Sequence, residues 1–371
     1  MSSVPGPVFH LDDAVTWRGG QQQVLYLHQG LRALDVDSRV VCRRGSALHA
    51  RLQGEGLPHY AFDHMAAHDL LAARTLARLV RLEGGLLHAH TSHAHDLALW
   101  SHRLGARCPI VVSRRVDFPV GRGIVSRRKY RSRRVTRYAA ISSAVEHELV
   151  AGGVDAARIV RIPSGIDFTR FQDLETDHGW KRALGLDPGE ILFGSVAALA
   201  PHKDQATLLE AFARFRAAGG EGRLVILGEG SLRDDLEAQR ARLGLEDDVF
   251  LPGFVDDVLA RLASFDVFVI TSKTEGLGTS ILDAMATGRP VIATRAGGIV
   301  DAVRHDETGL LADVGDVDAL AGAMLTMQRS ASLRQRYGHA GREAVTEFDV
   351  VNTVQRTLEL YRELHESPTG P

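Results

Sequence analysis

Short apolar runs alternate along this chain with stretches whose apolar residues recur every three or four positions. PVFHLDD (residues 7–13), DSRVVCRR, LLHAH, PIVVSRR (109–115), YAAISS (138–143) and RIVRIPSG (158–165) read as strands or strand ends. Between them, TWRGGQQQVLYLHQGL and LAARTLARLVRL carry helical period. After a polar stretch, QDLETDHG (172–179), the pattern restarts. ILFGSVAAL (191–199), RLVILGEG (223–230), VFLPGF (249–254), DVFVITS (266–272) and PVIAT (290–294) are strands, separated by helical segments such as QATLLEAFARFRAAG and SLRDDLEAQRARLG. Such alternation means βα units and parallel sheets. The expected fold class is α/β: two doubly wound, Rossmann-like parallel-sheet domains facing across a cleft, over residues 1–172 and 180–345. The last segment, VVNTVQRTLELYRELHES, is helical, and residues 349–371 are candidates to pack back on the first domain. Ligands of such sheets bind beyond the carboxyl ends of the strands, and clefts between domains are favoured small-molecule sites.

Composition narrows the class without naming a chemistry. The 371 residues are 44% hydrophobic and 24% charged, which is ordinary for a globular protein. The two cysteines, Cys42 and Cys108, have no metal-ligand spacing and imply no disulfide framework. No apolar run is long enough to span a bilayer, and the opening residues lack the pattern of a signal peptide, so the expected location is cytoplasmic. The net charge of −2 hides an asymmetry. Through Gln172 there are 24 Lys+Arg against 14 Asp+Glu (+10), and beyond it 20 against 32 (−12). A basic half joined to an acidic half points to two domains with different partners.

The basic excess concentrates in RRVDFPVGRGIVSRRKYRSRRVTRY (114–138), with ten Lys+Arg and one acid, Asp117. The bland reading is a solvated helix face. The functional reading is attraction to an anionic surface, either the inner face of a membrane or an anionic glycolipid acceptor. No RNA- or DNA-binding module accompanies the stretch, so no nucleic-acid partner is expected.

The most informative stretch is SKTEGLGTSILDAMATGRPV (272–291), which begins where the DVFVITS strand ends. Gly276 and Gly278 let the backbone approach a ligand closely. A helix starting near Thr279 offers free amides and a positive dipole end to a phosphate. Glu275 can accept hydrogen bonds from sugar hydroxyls, and Asp283 lies about one turn into the helix, within reach of a ribose. Both acids also suit a helix N-terminus with no ligand at all.

These residues resemble the donor site of the family 4 glycosyltransferases of the GT-B fold. The family places two glutamates around this glycine-rich turn, and here the second position holds Asp283, one methylene shorter. AALAPHKDQATLLEAF (197–212) resembles the family's next segment, in which Lys203 matches the lysine that grips the donor pyrophosphate. The family's arginine five residues earlier is replaced by Ala198. LVILGEGSLRDDLE (224–237) resembles the strand-end glycine pair, here Gly228 and Gly230. LPGFVDDV (251–258) resembles the loop whose backbone reads the base, with Phe254 and Val255 as candidates. RAGGIVDAV and DETGLL complete the match over residues 191–311.

The first half matches more loosely. WRGGQQQ (17–23) fits the family's first Gly-Gly turn, so Gly19 and Gly20 are candidates to hold an anion on their amides. HAHTSHAHDLALW (88–100) holds four histidines whose spacing also admits zinc. The resemblance instead implies a histidine that contacts the donor sugar or the acceptor, with His93 the first choice and His90 the second. VVSRRVDF ends another strand, and Arg114 or Arg115 is a candidate for an acceptor phosphate or acid.

The resemblance therefore implies a retaining glycosyltransferase that moves a sugar from a UDP-, GDP- or ADP-sugar to a glycan or glycolipid of the cell envelope. It implies no metal and no cofactor beyond the donor itself, with Glu275, Lys203 and His93 in catalytic roles, while the basic stretch adds the expectation of a peripheral place on the inner membrane face. Leu277 and Thr279 complete the expected donor contacts. Two other readings fit the same features: a nucleotide-sugar epimerase of the same fold, and a non-catalytic module binding nucleotide sugar or lipid. A nicotinamide dehydrogenase fits poorly, because GEGSLR is not a full dinucleotide fingerprint.

Overall fold

The computed structural model describes residues 4, 6–66, 68–120, 123–172, 174, 178–186 and 189–366. They form two compact units, one running to Gly165 and resuming at Val350, the other spanning Ile166–Asp349. Each is built on a parallel sheet.

The first sheet holds β1 (Val8–Asp12), β2 (Ser38–Arg43), β3 (His59–Phe62), β4 (Leu86–Ala89), β5 (Ile110–Arg114), β6 (Arg137–Ala140) and β7 (Ile159–Arg161). Their spatial order is β3-β2-β1-β4-β5-β6-β7. The second holds β8 (Ile191–Val196), β9 (Gly222–Leu227), β10 (Val249–Gly253), β11 (Val267–Ile270), β12 (Val291–Thr294) and β13 (Gly309–Ala312), in the order β10-β9-β8-β11-β12-β13. Every residue of β1, β4, β11 and β12 is buried. That is why these segments read as continuous apolar runs rather than as alternating ones.

The expected class holds: the fold is α/β, with two doubly wound parallel sheets. Two strands escape the sequence reading, β3 and β13, and both lie at a sheet edge. Each has only four residues, and β3 is only partly buried along its length, so neither gives a long apolar run.

The core of the second unit centres on Phe193, Phe212 and Phe215, whose ring centroids lie 5.2–6.2 Å apart. Leu208, Leu224 and Met324 surround them. In the first unit the Val350–Glu366 helix lies on the Gly19–Ala33 helix. Val354, Leu358 and Tyr361 join Leu27, Leu31, Leu86 and Val111 in one buried cluster. The final helix thus supplies part of the first unit's core although it follows the second unit in sequence. Truncating Leu358, only 3% exposed, to alanine should cost about 2–5 kcal/mol. Scanning calorimetry should then show a transition lowered by roughly 5–15 °C. A shift below about 2 °C would show that the helix is not part of that core.

Candidate functional site

In each sheet the strand order reverses once, and the crevice beyond the carboxyl ends of the two central strands is where such sheets bind ligands. In the second unit those strands are β8 and β11, which pair directly. The Pro201–Lys203 turn follows β8, and the loop of residues 273–278 follows β11.

Lys203 Nζ and a carboxylate oxygen of Glu275 form an ion pair there, both side chains mostly buried. The pair is braced from several sides. The Ser272 hydroxyl lies 3.4 Å from the same Glu275 oxygen, and the Gly298 amide donates to the Glu275 carbonyl at 2.8 Å. The Lys273 amide donates to the His202 carbonyl at 2.8 Å, and the Thr271 hydroxyl donates to the Asp204 carbonyl at 2.9 Å. The two loops are therefore stitched to each other beneath the charged pair.

Beyond Glu275, Gly276 and Leu277 are buried in the loop. Gly278 caps the Thr279–Ala286 helix with φ of 81°, the left-handed region that favours glycine, and offers no side chain to the helix amides. Among the described residues nothing accepts a hydrogen bond from the amides of Thr279 or Ser280. Asp283 is half-buried about one turn into that helix, and its Oδ1 is buried with no hydrogen-bond partner among the described residues. Burial raises its pKa from 3.8 to about 6, and the charge of Arg170 opposes the rise. A buried carboxylate oxygen without a donor is costly, and such orphans mark ligand sites.

Gly228 and Gly230, expected among the donor contacts, are held to glycine by the packing of their own loop. A β-carbon on Gly228 would lie 2.0 Å from the Ala197 carbonyl oxygen, and one on Gly230 would lie 2.2 Å from that of Leu199. Their small size lets the loop after β9 pack against the loop after β8. At the end of β10, Phe254 is 74% exposed and Val255 half-buried, beside Gly253, whose carbonyl accepts from the Gly228 amide at 2.9 Å.

In the first unit the reversal falls between β1 and β4, which pair directly. The Gly19–Ala33 helix starts after β1 with no side-chain cap and no acid in its first turn. Among the described residues nothing accepts from the amides of Gly19 or Gly20. Asp12, at the end of β1, accepts from Gln21 Nε2 at 3.0 and 3.2 Å, and burial raises its pKa to about 6. Arg115 reaches the space beside Gly20, where a β-carbon would lie 4.0 Å from its Cδ. One of its nitrogens donates to Ser164 Oγ at 3.1 Å and another points to His90 Nδ1 at 3.4 Å. Burial lowers its pKa to about 10, so it stays charged at neutral pH.

The four histidines of residues 88–95 separate. His88, His90 and His95 face inward, whereas His93 is open. His10, His88 and His90 bring ring nitrogens within 4.8 Å of one another. The contacts favour a hydrogen-bonded imidazole chain over a metal site. His90 Nε2 lies 2.9 Å from His10 Nδ1, and His88 meets Tyr361 Oη at 2.5 Å and Ser113 Oγ at 2.8 Å. A cation there would also face Arg115. Burial holds His10 and His90 well below the usual histidine range and His88 at about 3, so all three are neutral near pH 7. Because Arg115 can only donate, His90 Nδ1 accepts, its Nε2–H donates to His10, and the chain seats the guanidinium.

The structure therefore places His90 behind Arg115, 6% exposed, rather than on an open surface. Arg114 is also inside: it donates to Tyr130 Oη at 2.7 Å and to the Phe118 carbonyl. The rest of the basic stretch divides. Lys129 is bound to Ser92 and Asp96, while Arg127, Arg128, Arg131, Arg133 and Arg134 are exposed and Arg122 lies outside the described residues. Beside them, Ile124 and Val125 of the Ile124–Tyr130 helix are 74% and 76% exposed. Sequence reasoning missed Asp12, Asp13 and Thr91, although acids at the carboxyl end of the first strand are a readable signal.

Two doubly wound sheets, each with a crevice at its strand reversal, set the class of fold. The family described as "Glycosyltransferase Family 4" matches residues 17–170, and "Glycosyl transferases group 1" matches residues 178–344. The chain belongs to the family 4 glycosyltransferases. It is 34% identical over 238 residues to a D-inositol 3-phosphate glycosyltransferase of Rhodococcus erythropolis, covering 61% of this chain and 53% of that one. It is 36% identical over 151 residues to the lipopolysaccharide core biosynthesis glycosyltransferase LpsE of Rhizobium meliloti, covering 41% and 43%. The chain thus spans about half the length of these curated relatives. The crystal structure of Anabaena HepE in complex with UDP shares the fold with a TM-score of 0.84 at 23% identity, over 96% of this chain and 100% of that one.

Asp283 generates a prediction about stability. Its folded pKa lies above its unfolded value, so the folded state holds the proton more tightly. The penalty is absent below pH 3.8 and complete above about 6. Asp283→Asn should therefore be more stable than wild type by roughly 1–3 kcal/mol at pH 8, with the gap closing towards pH 4. The buried histidines weaken both proteins equally in acid, so the difference isolates Asp283. A gap independent of pH, measured by denaturant titration, would contradict the assignment.

Proposed function

We propose that this chain transfers a sugar from a nucleotide-diphosphate sugar to an anionic glycan or glycolipid of the cell envelope, with retention of anomeric configuration. One observation carries the reading. Lys203 and Glu275, 72 residues apart in sequence, form a buried ion pair at the carboxyl-end crevice of β8 and β11, beside a helix start with open amides.

In this reading Lys203 binds the diphosphate and Glu275, released from the lysine, orients the sugar hydroxyls. The amides of Thr279 and Ser280, beside Gly278, face phosphate oxygens, and the loop of Gly276 and Leu277 closes on the sugar. Asp283 accepts from a ribose hydroxyl, which gives its orphan oxygen a donor. The backbone at Phe254 and Val255 meets the base of a UDP-, GDP- or ADP-sugar. The bond from sugar C1 to the diphosphate oxygen breaks, and a bond from C1 to the acceptor oxygen forms on the same face. The acceptor's proton passes to the departing diphosphate. Fixed positive charge where negative charge develops is the main source of rate, and the reading needs no metal and no further cofactor.

The first unit holds the acceptor in this reading. Arg115 and the amides of Gly19 and Gly20 make a seat for a phosphate or acid, and His93 meets a hydroxyl of the donor sugar or acceptor. The names of the two relatives, an inositol phosphate and a lipopolysaccharide core, describe acceptor chemistry of this kind. Arg114 braces the loop of residues 115–118 rather than touching substrate. The exposed Ile124 and Val125, on the same short helix as Arg127 and Arg128, dock the chain on the inner membrane face. Among the described residues no helix is long and apolar enough to cross a membrane.

A thermal-shift panel of UDP-, GDP- and ADP-sugars should single out one base, since a donor at 100 times its Kd adds about 2.7 kcal/mol. Stabilisation by none of them would overturn the donor assignment. Lys203→Ala should lower transfer from the stabilising donor about ten- to hundred-fold, through loss of a charge-assisted contact of roughly 1.5–3 kcal/mol. Wild-type turnover would remove Lys203 from the site. The chain should float with vesicles rich in phosphatidylglycerol and only weakly with neutral ones. Ile124→Asp with Val125→Asp should abolish flotation, and equal recovery on both vesicle types would exclude the basic stretch as the dock.

A further inference from the structure

His93 stands at the first turn of the Ser92–Arg103 helix, which follows β4. Asp13 stands one residue past β1. The pair spans the strand reversal of the first unit: Asp13 Oδ2 lies 2.9 Å from His93 Nδ1. The other oxygen of Asp13 accepts from the Thr91 hydroxyl, and Thr91 Oγ1 in turn accepts from the Ala94 amide at 3.1 Å. The carboxylate is thus held at both oxygens, on one side by the residue that caps the histidine's own helix. The Asp13 side chain is 16% exposed and that of His93 59%.

We propose that Asp13 is the positioning residue of His93, fixing the imidazole as its Nδ1–H tautomer with Nε2 turned out as a hydrogen-bond acceptor for a substrate hydroxyl. A carboxylate only accepts, so the nitrogen facing it carries the hydrogen, and the second nitrogen of a neutral ring is then a bare acceptor. Among the described residues Nε2 has no partner. The arrangement is unlike an ordinary surface pair, whose two partners are both solvated and which contributes little stability. Here the acid is sequestered and doubly anchored while the imidazole stays open, at the end of the sheet where ligands bind. Of the four histidines in residues 88–95, this is the one whose free nitrogen can meet a ligand.

The inference rests on the role given to His93 in the proposed function, and the test separates the two. The full-length chain, labelled with 15N-histidine, is examined by long-range 15N–1H correlation at pH 8, and the His93 signals are assigned by their loss in His93→Gln. Wild type should show a protonated Nδ1 and an unprotonated Nε2. Asp13→Asn keeps the shape of the side chain and can donate its amide to Nδ1, so it should move the proton to Nε2. Asp13→Ala should give a mixture. An unchanged tautomer in both variants overturns the proposal.

Turnover is followed as nucleoside diphosphate release from whichever of UDP-glucose, UDP-N-acetylglucosamine and GDP-mannose stabilises the chain most. Asp13→Asn should lower kcat about tenfold towards the level of His93→Gln, and the double variant should be no slower than His93→Gln alone, because the two residues act as one unit. Multiplicative losses overturn the proposal. If the tautomer moves but His93→Gln turns over like wild type, the role of His93 falls. If the tautomer stays and His93→Gln is slow, His93 keeps its role and Asp13 loses its own.

Discussion

The reversal of strand order in each sheet is the constraint on which the rest depends. Strands on the two sides of the reversal send their following helices to opposite faces, so the loops at their carboxyl ends part and leave a crevice. Between β8 and β11 that crevice receives Lys203 from one loop and Glu275 from the other. Between β1 and β4 it receives Asp12 and Asp13 from the end of β1 and the residue after it, and Thr91 and His93 from the cap and first turn of the helix after β4. Both pairings cross the reversal, and neither partner is near the other in sequence.

The two crevices handle buried charge in different ways. In the second unit the charges satisfy each other: Lys203 and Glu275 are paired, and Lys273 is paired with the nearly buried Asp204 at 3.0 Å. In the proposed function an arriving diphosphate would replace one anion by another, so the lysine would not lose a partner. Asp283 is the exception, an acid whose oxygen has no donor and whose pKa rises to about 6 in consequence. In the first unit Arg115 is surrounded mainly by neutral groups. Ser164 and the neutral imidazoles of His90 and His10 hold it in place without cancelling its charge, and Asp12 is the acid whose field favours it. A guanidinium held by neutral partners keeps its charge for an anion, whereas one locked to a carboxylate does not.

Much of this was legible from local pattern. The apolar runs place all but the two short edge strands, because buried parallel strands are apolar on both faces. The segment EGLGTSILDAM shows its own turn and helix start, so Glu275, Gly278, Thr279 and Asp283 could be named as a group. The histidines show the limit of such reading. His88, His90, His93 and His95 look alike in a string, yet one is open and three are inside, since the strand and the helix turn successive side chains to different faces. The arginines behave likewise: Arg114 and Arg115 are adjacent, but one braces a loop and the other reaches the space beside Gly20.

Short-range physics, written in the order of residues, set the alternation of strand and helix, the turn at Gly278, the open helix starts at Gly19 and Thr279, and the basic excess of residues 114–138. Packing across the sheets settled everything that depends on groups distant in the chain. It put Lys203 against Glu275, locked Asp13 onto His93, and turned His90 from an expected contact into the support of Arg115. It also gave the final helix, Val350–Glu366, to the first unit's core. Periodicity reports which face of an element is apolar. It carries no information about which distant face that one will meet, because that choice is made by the packing of the whole core.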